Sequence, residues 1–144
     1  MIVTITGDKV ISRKIAKIQT KLKAPKAMLT RIGKNLVKYF QENMESEGVK
    51  LTKKRWKELK PETAAAKARL GFGGKKILER TGKLKAGIKT MSVTKDTLKV
   101  GNPVDYYPYH QLGGRKLPKR QMLGVNTDVG KIVMDEVKKE ISFA

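Results

Sequence analysis

Between Pro25 and Glu47 the apolar residues Leu29, Ile32, Leu36 and Phe40 recur every three or four positions. This stripe constrains the chain more than any other feature, because only an α-helix puts all four on one face. Met28, Tyr39 and Met44 flank it. Proline is tolerated in a first helical turn, so Pro25 can open the helix, and Gly48 is a natural stop after it. A helix with one apolar stripe has to bury that stripe against something.

The remaining patterning supplies the partners. Val129, Ile132, Val133, Val137 and Ile141 form the apolar face of a final helix from Thr127 to Ile141. Ile88 to Val93 reads as a strand, Thr94-Lys95-Asp96 as a turn and Thr97 to Gly101 as the returning strand, closed by Asn102-Pro103. Helices segregated from an antiparallel hairpin define the α+β class. The expected fold is a small antiparallel sheet packed against the long helix and the C-terminal helix. An all-helical protein with a dispensable hairpin is the alternative. At the start, Met1 to Ile5 reads as a strand. Gly7-Asp8 offers a turn and helix cap, and Ile11, Ile15, Ile18 and Leu22 give a helix from Asp8 to Lys23.

The middle of the chain is different. Residues 51–76 are basic, hold Trp56, and include a short helical piece from Pro61 to about Leu70 followed by Gly71-Phe72-Gly73-Gly74. They read as a mobile arm that orders on assembly, with Trp56 as the anchor to its own domain or to a neighbouring subunit. Thr81 is a candidate helix cap. Val104 to Gly114 reads as a tyrosine-rich turn, and the stretch after Leu117-Pro118 as extended to Leu123. At 144 residues the expectation is a single domain.

Composition narrows the chemistry. Lys and Arg number 33 against 13 Asp and Glu, a net charge of +20, and 14 of the cations lie between Lys50 and Thr90. Such an excess attracts polyanions. With no cysteine, disulfide scaffolds, thiol nucleophiles and thiolate zinc sites are excluded. His110 is the single histidine, and Asp105 nearby does not make it a catalytic pair. The acids Glu42, Glu45 and Glu47, and Asp135, Glu136 and Glu140, read as ordinary helix-surface groups. Gly71 to Lys76 lacks the spacing of a phosphate loop. No catalytic residue, metal site or cofactor is therefore expected. No apolar run reaches membrane-spanning length and the start is unlike a signal peptide, so the expected location is the cytoplasm of the cell that makes the protein.

Four pieces follow one another in order. They are Trp56-Lys57-Glu58-Leu59-Lys60-Pro61-Glu62-Thr63 with Lys67; Ile77-Leu78-Glu79-Arg80-Thr81-Gly82-Lys83-Leu84 with Ile88; Val100-Gly101-Asn102, then Tyr106-Tyr107 and His110-Gln111-Leu112-Gly113; and Leu117 to Gly124 with Asp128. From Arg55 to Asp128 this series resembles the virion-morphogenesis, or tail-completion, family of Mu-like and related tailed phages. Gly87, Tyr107-Pro108 and Met122 depart from the family pattern, which has a Ser, a Tyr-Ala step and an aromatic there. The resemblance implies a structural protein without enzymatic activity. It would be made in the bacterial host cytoplasm and built into the virion, at the head-tail junction or the end of the tail tube. Its partners would be other tail or connector proteins. The implied form is a closed ring, six-fold like the tail, assembled from a chain that stays monomeric until templated. Trp56, Leu59, Thr81, Tyr106, Tyr107, His110, Gln111 and Arg120 are the candidate assembly residues.

The rival reading is a small basic nucleic-acid-binding protein. A charge of +20 alone gives non-specific, steeply salt-dependent binding. Titration with duplex DNA should therefore show binding in dilute buffer that is erased at physiological salt. Affinity or sequence preference surviving that salt would favour the rival. Membrane binding is not expected, because neither terminal helix pairs a bulky aromatic face with its basic one.

Overall fold

A computed structural model describes residues 25–142. The strand expected at Met1 to Ile5 and the helix expected at Asp8 to Lys23 lie outside these residues. The described elements are α1 (Pro25–Glu45), α2 (Val49–Thr52), α3 (Pro61–Arg69), α4 (Lys83–Gly87), β1 (Lys89–Val93), β2 (Leu98–Gly101), α5 (Tyr107–Leu112) and α6 (Thr127–Ser142). The fold is α+β, with a two-stranded antiparallel sheet and the long helix α1 packed against the C-terminal helix α6. The chain forms two compact units. Among the described residues, one takes in 25–39 with Lys89–Asn102 and 124–142; the other is Phe40–Ile88 with Pro103–Leu123.

In the first unit the predicted stripe is buried. Met28, Leu29, Ile32 and Leu36 from α1 are covered, as are Val129, Val133 and Val137 from α6. Ile141, expected on the apolar face, is exposed instead, at the penultimate position of α6. The helix is capped by Asn126, whose Oδ1 accepts a hydrogen bond from the Val129 amide at 2.9 Å. The same Asn126 donates to the Tyr39 hydroxyl at 2.9 Å.

The hairpin pairs Lys89 with Gly101, Thr90 with Val100, Ser92 with Lys99 and Val93 with Leu98, so Met91 is the extra residue of a bulge. Its turn is closed by the Thr94 hydroxyl, which accepts from the Thr97 amide at 3.0 Å and donates to Asp96 at 2.9 Å. Hydrogen bonds from Thr94 and Thr97 hold the Asp96 carboxyl below its ordinary value. Leu98 and Val100 point into the core. The sheet lies close on α1 at Gly33, where a Cβ would stand 2.7 Å from Thr90 Oγ1 and 3.0 Å from Leu98 Cδ1.

Glu136 corrects the reading of the acids on α6 as surface groups. It is 4% exposed. Its carboxylate accepts from Arg31 Nε at 3.1 Å, Asn35 Nδ2 at 3.1 Å and Lys139 Nζ at 3.1 Å, while Arg31 Nη2 also reaches Glu140 at 2.5 Å. Burial pushes the Glu136 carboxyl up. The hydrogen bonds and charges of Lys139 and Arg31 outweigh it and leave the group below its ordinary value of 4.5. A depressed folded pKa gives stability that is complete above the unfolded value and lost as pH falls through the folded one. Glu136→Gln should cost about 1–3 kcal/mol at neutral pH. It should also flatten the loss of urea stability below pH 4.5. Parallel stability curves for the two proteins would contradict this account.

Candidate functional site

The second unit is organised around an extended stretch, Arg120 to Leu123, that has no strand beside it. From Gln121 to Leu123 its peptide groups are met by side chains. Asn43, fully buried on α1, donates to the carbonyls of Gln121 at 3.3 Å and Met122 at 3.2 Å, and its Oδ1 accepts from the Leu51 amide at 2.9 Å. Gln111 donates to Leu123 O at 2.7 Å and accepts from the amides of Met122 at 2.8 Å and Leu123 at 3.1 Å. A carboxamide carries both a donor and an acceptor, so it can replace the missing strand. The Trp56 indole N–H adds a bond to Gln121 O at 3.3 Å.

Trp56 is pinned to its own unit and buried. It sits against Gly48, where a Cβ would come within 2.2 Å of its Nε1 and where φ is +91°. Only glycine meets both demands. The expected arm, residues 51–76, is also tied at its far end, where Lys76 Nζ donates to Glu45 O on α1 at 2.7 Å. Lys67 on α3 donates to the carbonyls of Lys75 at 3.0 Å and Lys76 at 2.6 Å, and burial lowers its pKa. Arg55 pairs with Glu47 at 2.6 Å and with Glu58 at 3.2 Å. Glu42 and Glu45 pair with Lys50 and Lys85.

Two local expectations are corrected. The tyrosine-rich stretch contains the helix α5, with Pro108 in its first turn. The helix explains why the tyrosines part company. Tyr107 is buried, and its hydroxyl is pushed up to about 12 by burial, whereas Tyr106 and Tyr109, three residues apart, share the exposed side. Thr81 is not a cap. Gly82 holds that position before α4, with no side-chain cap bond.

An open groove of about 540 Å³ runs over this unit. One wall is Leu59 and the α3 face of Thr63, Ala66, Lys67 and Leu70; the other is Leu78 to Leu84; Tyr106, His110, Leu117 and Arg120 complete it. Leu78 holds φ +62°, a region that bulky side chains avoid, so the groove wall includes a strained backbone position. Arg120 is 4% exposed. Its Nε and Nη2 both donate to Lys57 O, at 3.2 and 2.9 Å, and its amide donates to His110 O at 2.7 Å. His110 Nδ1 is buried without a hydrogen-bond partner, and its ring stands edge-on to Tyr106 at 6.3 Å. Burial, and then the charge of Arg120, lower the pKa of His110. Burial lowers that of Arg120 as well.

Of the eight residues singled out from sequence, Leu59, Thr81, Tyr106, His110 and Arg120 line this groove. Trp56, Tyr107 and Gln111 do not; they hold the scaffold beneath it. Leu70, Leu78, Leu84 and Leu117 were missed. Thr63, Ala66 and Leu70 lie at helical spacing, and that period was the available signal.

The sequence pattern of the phage virion morphogenesis family matches residues 7–142. The chain belongs to that family. The match extends well beyond the Arg55 to Asp128 motifs and takes in both compact units. No curated protein matches the chain, and no solved structure does. Membership gives this virion morphogenesis protein a structural part in building a phage particle. Among the described residues no helix is long and apolar enough to cross a membrane.

The scaffold under the groove is sensitive to truncation. Asn43→Ala would remove the bonds that this side chain makes to the Leu51 amide and to the Gln121 and Met122 carbonyls, of which Gln121 O keeps the Trp56 donor, for a loss of about 2–3 kcal/mol. Trp56→Ala, which empties a core position, should lose about 3–5 kcal/mol. Leu70→Ser, on the open wall, should stay within about 0.5 kcal/mol of the parent. Urea unfolding monitored by circular dichroism checks all three. A neutral Asn43→Ala would mean that water replaces the clamp without loss.

Proposed function

We propose that this family member is a non-enzymatic structural part that completes the tail of a Mu-like phage, at the head-tail junction or the end of the tail tube. The observation that carries the reading is membership of the virion morphogenesis family over residues 7–142. The surface of the second unit agrees with it. Tyr109 is 65% exposed and Leu112 73%, and Leu70, Tyr106 and Leu117 are exposed as well. Apolar groups gathered in this way are the usual substance of a contact surface. Its partners are tail or connector proteins, and the form it takes in the virion is a closed six-fold ring. Contacts within a ring join two different surfaces of each subunit. A net charge of +20 opposes self-association of the free chain, so an acidic partner or the tail end templates the ring. The chemistry rests in binding: the one histidine is half-buried beside Arg120, and its Nδ1 has no carboxylate to orient it as a general base.

Tyr109 and Leu112 lie outside the groove and are the most solvent-exposed of these residues, so replacing them tests the role without touching the scaffold. The double variant Tyr109→Ser, Leu112→Ser should keep the parental melting temperature. Cells producing phage with it should accumulate filled heads and tails that fail to join. Normal yields of infectious particles would overturn the reading.

A further inference from the structure

The geometry points to the second unit's groove as a receptor for an acidic, leucine-bearing peptide segment of another protein, its carboxylate paired with Arg120 and its leucines laid along the apolar walls. This deepens the assembly role proposed above and rests on it for the identity of the partner as a virion component.

Arg120 is the reason. Arg120 is 4% exposed as a residue, and its guanidinium meets one carbonyl, that of Lys57, which takes Nε and Nη2. Nη1 has no acceptor among the described residues, and the side chain lines the groove. A carbonyl cannot neutralise a cation, and a buried charge without a counter-charge is costly. The contrast with Arg31 is direct: that arginine is far more exposed yet reaches two carboxylates. Arg120 thus holds an unused, preorganised donor at the base of an apolar cleft, beside a His110 whose Nδ1 also lacks a partner. A carboxylate at Nη1 would complete the charge through a charge-assisted hydrogen bond.

The walls choose between anions. Leu59, Ala66, Leu70, Leu78, Leu84 and Leu117 are aliphatic. Nucleic acid asks for a track of cations with aromatic faces for bases to stack on, whereas the groove has one aromatic flank, Tyr106. Aliphatic walls around a single anion receptor suit a peptide whose carboxylate is flanked by leucines. Lys67, Arg80 and Lys83 along the sides add attraction for such a segment, and Glu79 is the single acid there.

A second copy of this chain is a poor source of that segment. Glu42, Glu45, Glu47, Glu58, Glu136 and Glu140 already face cations of their own chain. Two copies also bring together +20 each. The complementary surface belongs to an acidic protein.

The test uses the full chain at physiological salt and an acetylated, amidated Leu-Leu-Glu-Leu-Leu peptide, with a Gln-for-Glu control. Binding should shift the NMR signals of His110, Leu59 and Leu84, and the Gln control should bind at least about tenfold more weakly, as loss of a charge-assisted bond predicts. Arg120→Met should abolish the difference between the two peptides. Because that variant also loses its bonds to Lys57 O, the exposed-wall variant Leu70→Ser gives a second measure and should weaken binding several-fold. Equal affinity for both peptides, or shifts that map away from the groove, overturn the proposal. So does a short oligothymidylate that moves the same signals more strongly than the peptide, since the site would then be one for phosphate. No phage enters this measurement. Loss of peptide binding with the Tyr109, Leu112 variant still blocking assembly therefore refutes the groove alone. Peptide binding alongside normal assembly in that variant supports the groove and refutes the assembly role.

Discussion

The second unit depends on satisfying the backbone of Gln121, Met122 and Leu123. An extended segment inside a fold normally finds its hydrogen bonds in a neighbouring strand, and the alternative of leaving buried amides and carbonyls empty costs about 1–3 kcal/mol for each. Here the neighbours are side chains. Asn43 comes from α1, Gln111 from α5 and Trp56 from the loop after α2. Because each reaches the same stretch from a different part of the chain, the clamp fixes where those parts lie. Asn43 also receives the Leu51 amide, so it settles the place of α2 as well. The groove walls are carried by this framework.

Two buried charges show how the same cost is handled in opposite ways. Glu136 is surrounded by Arg31, Asn35 and Lys139, and a fully bonded buried carboxylate rigidifies the pairing of α1 with α6. Arg120 is as deeply buried but meets only carbonyl oxygen. A fold this rich in cations does not need one more of them inside. An uncompensated guanidinium facing an open cleft is the kind of local inconsistency that binding resolves and packing does not.

Legibility in the sequence followed the range of the interaction. The stripe Leu29, Ile32, Leu36 and Phe40 announced α1 because helical period is a local property, and Gly48 announced its end. The hairpin was readable from β-branched runs on either side of a short polar turn. Helix α5 was not, since six residues holding two tyrosines and a proline show no period to recognise. Asn43 and Glu136 were unreadable for a different reason. A polar residue in a helix reads as surface unless its partner is visible, and the partners here are 79 and 105 residues away. Five of the eight assembly candidates did reach the groove, because the motif residues that marked them lie on segments that the fold brings together.

The distribution of those motif residues bears on what the protein is built to do. Trp56, Leu59, Lys67, Thr81, Gly82, His110, Gln111 and Arg120 all belong to the second unit. None pairs with another as a nucleophile and base. Trp56 and Gln111 hold the extended segment, Lys67 ties the glycine loop, Gly82 opens α4, and Leu59, Thr81, His110 and Arg120 face the cleft. The members of this constellation divide between building the cleft and lining it. The first unit is held together differently, by the salt bridges that join α1 to α6 and by the hairpin that packs on α1 at Gly33. The partner recognition proposed for the cleft needs a surface that keeps its form while the partner arrives. The Trp56 indole and the Gln111 carboxamide, both bound to the extended segment, are placed to keep that form.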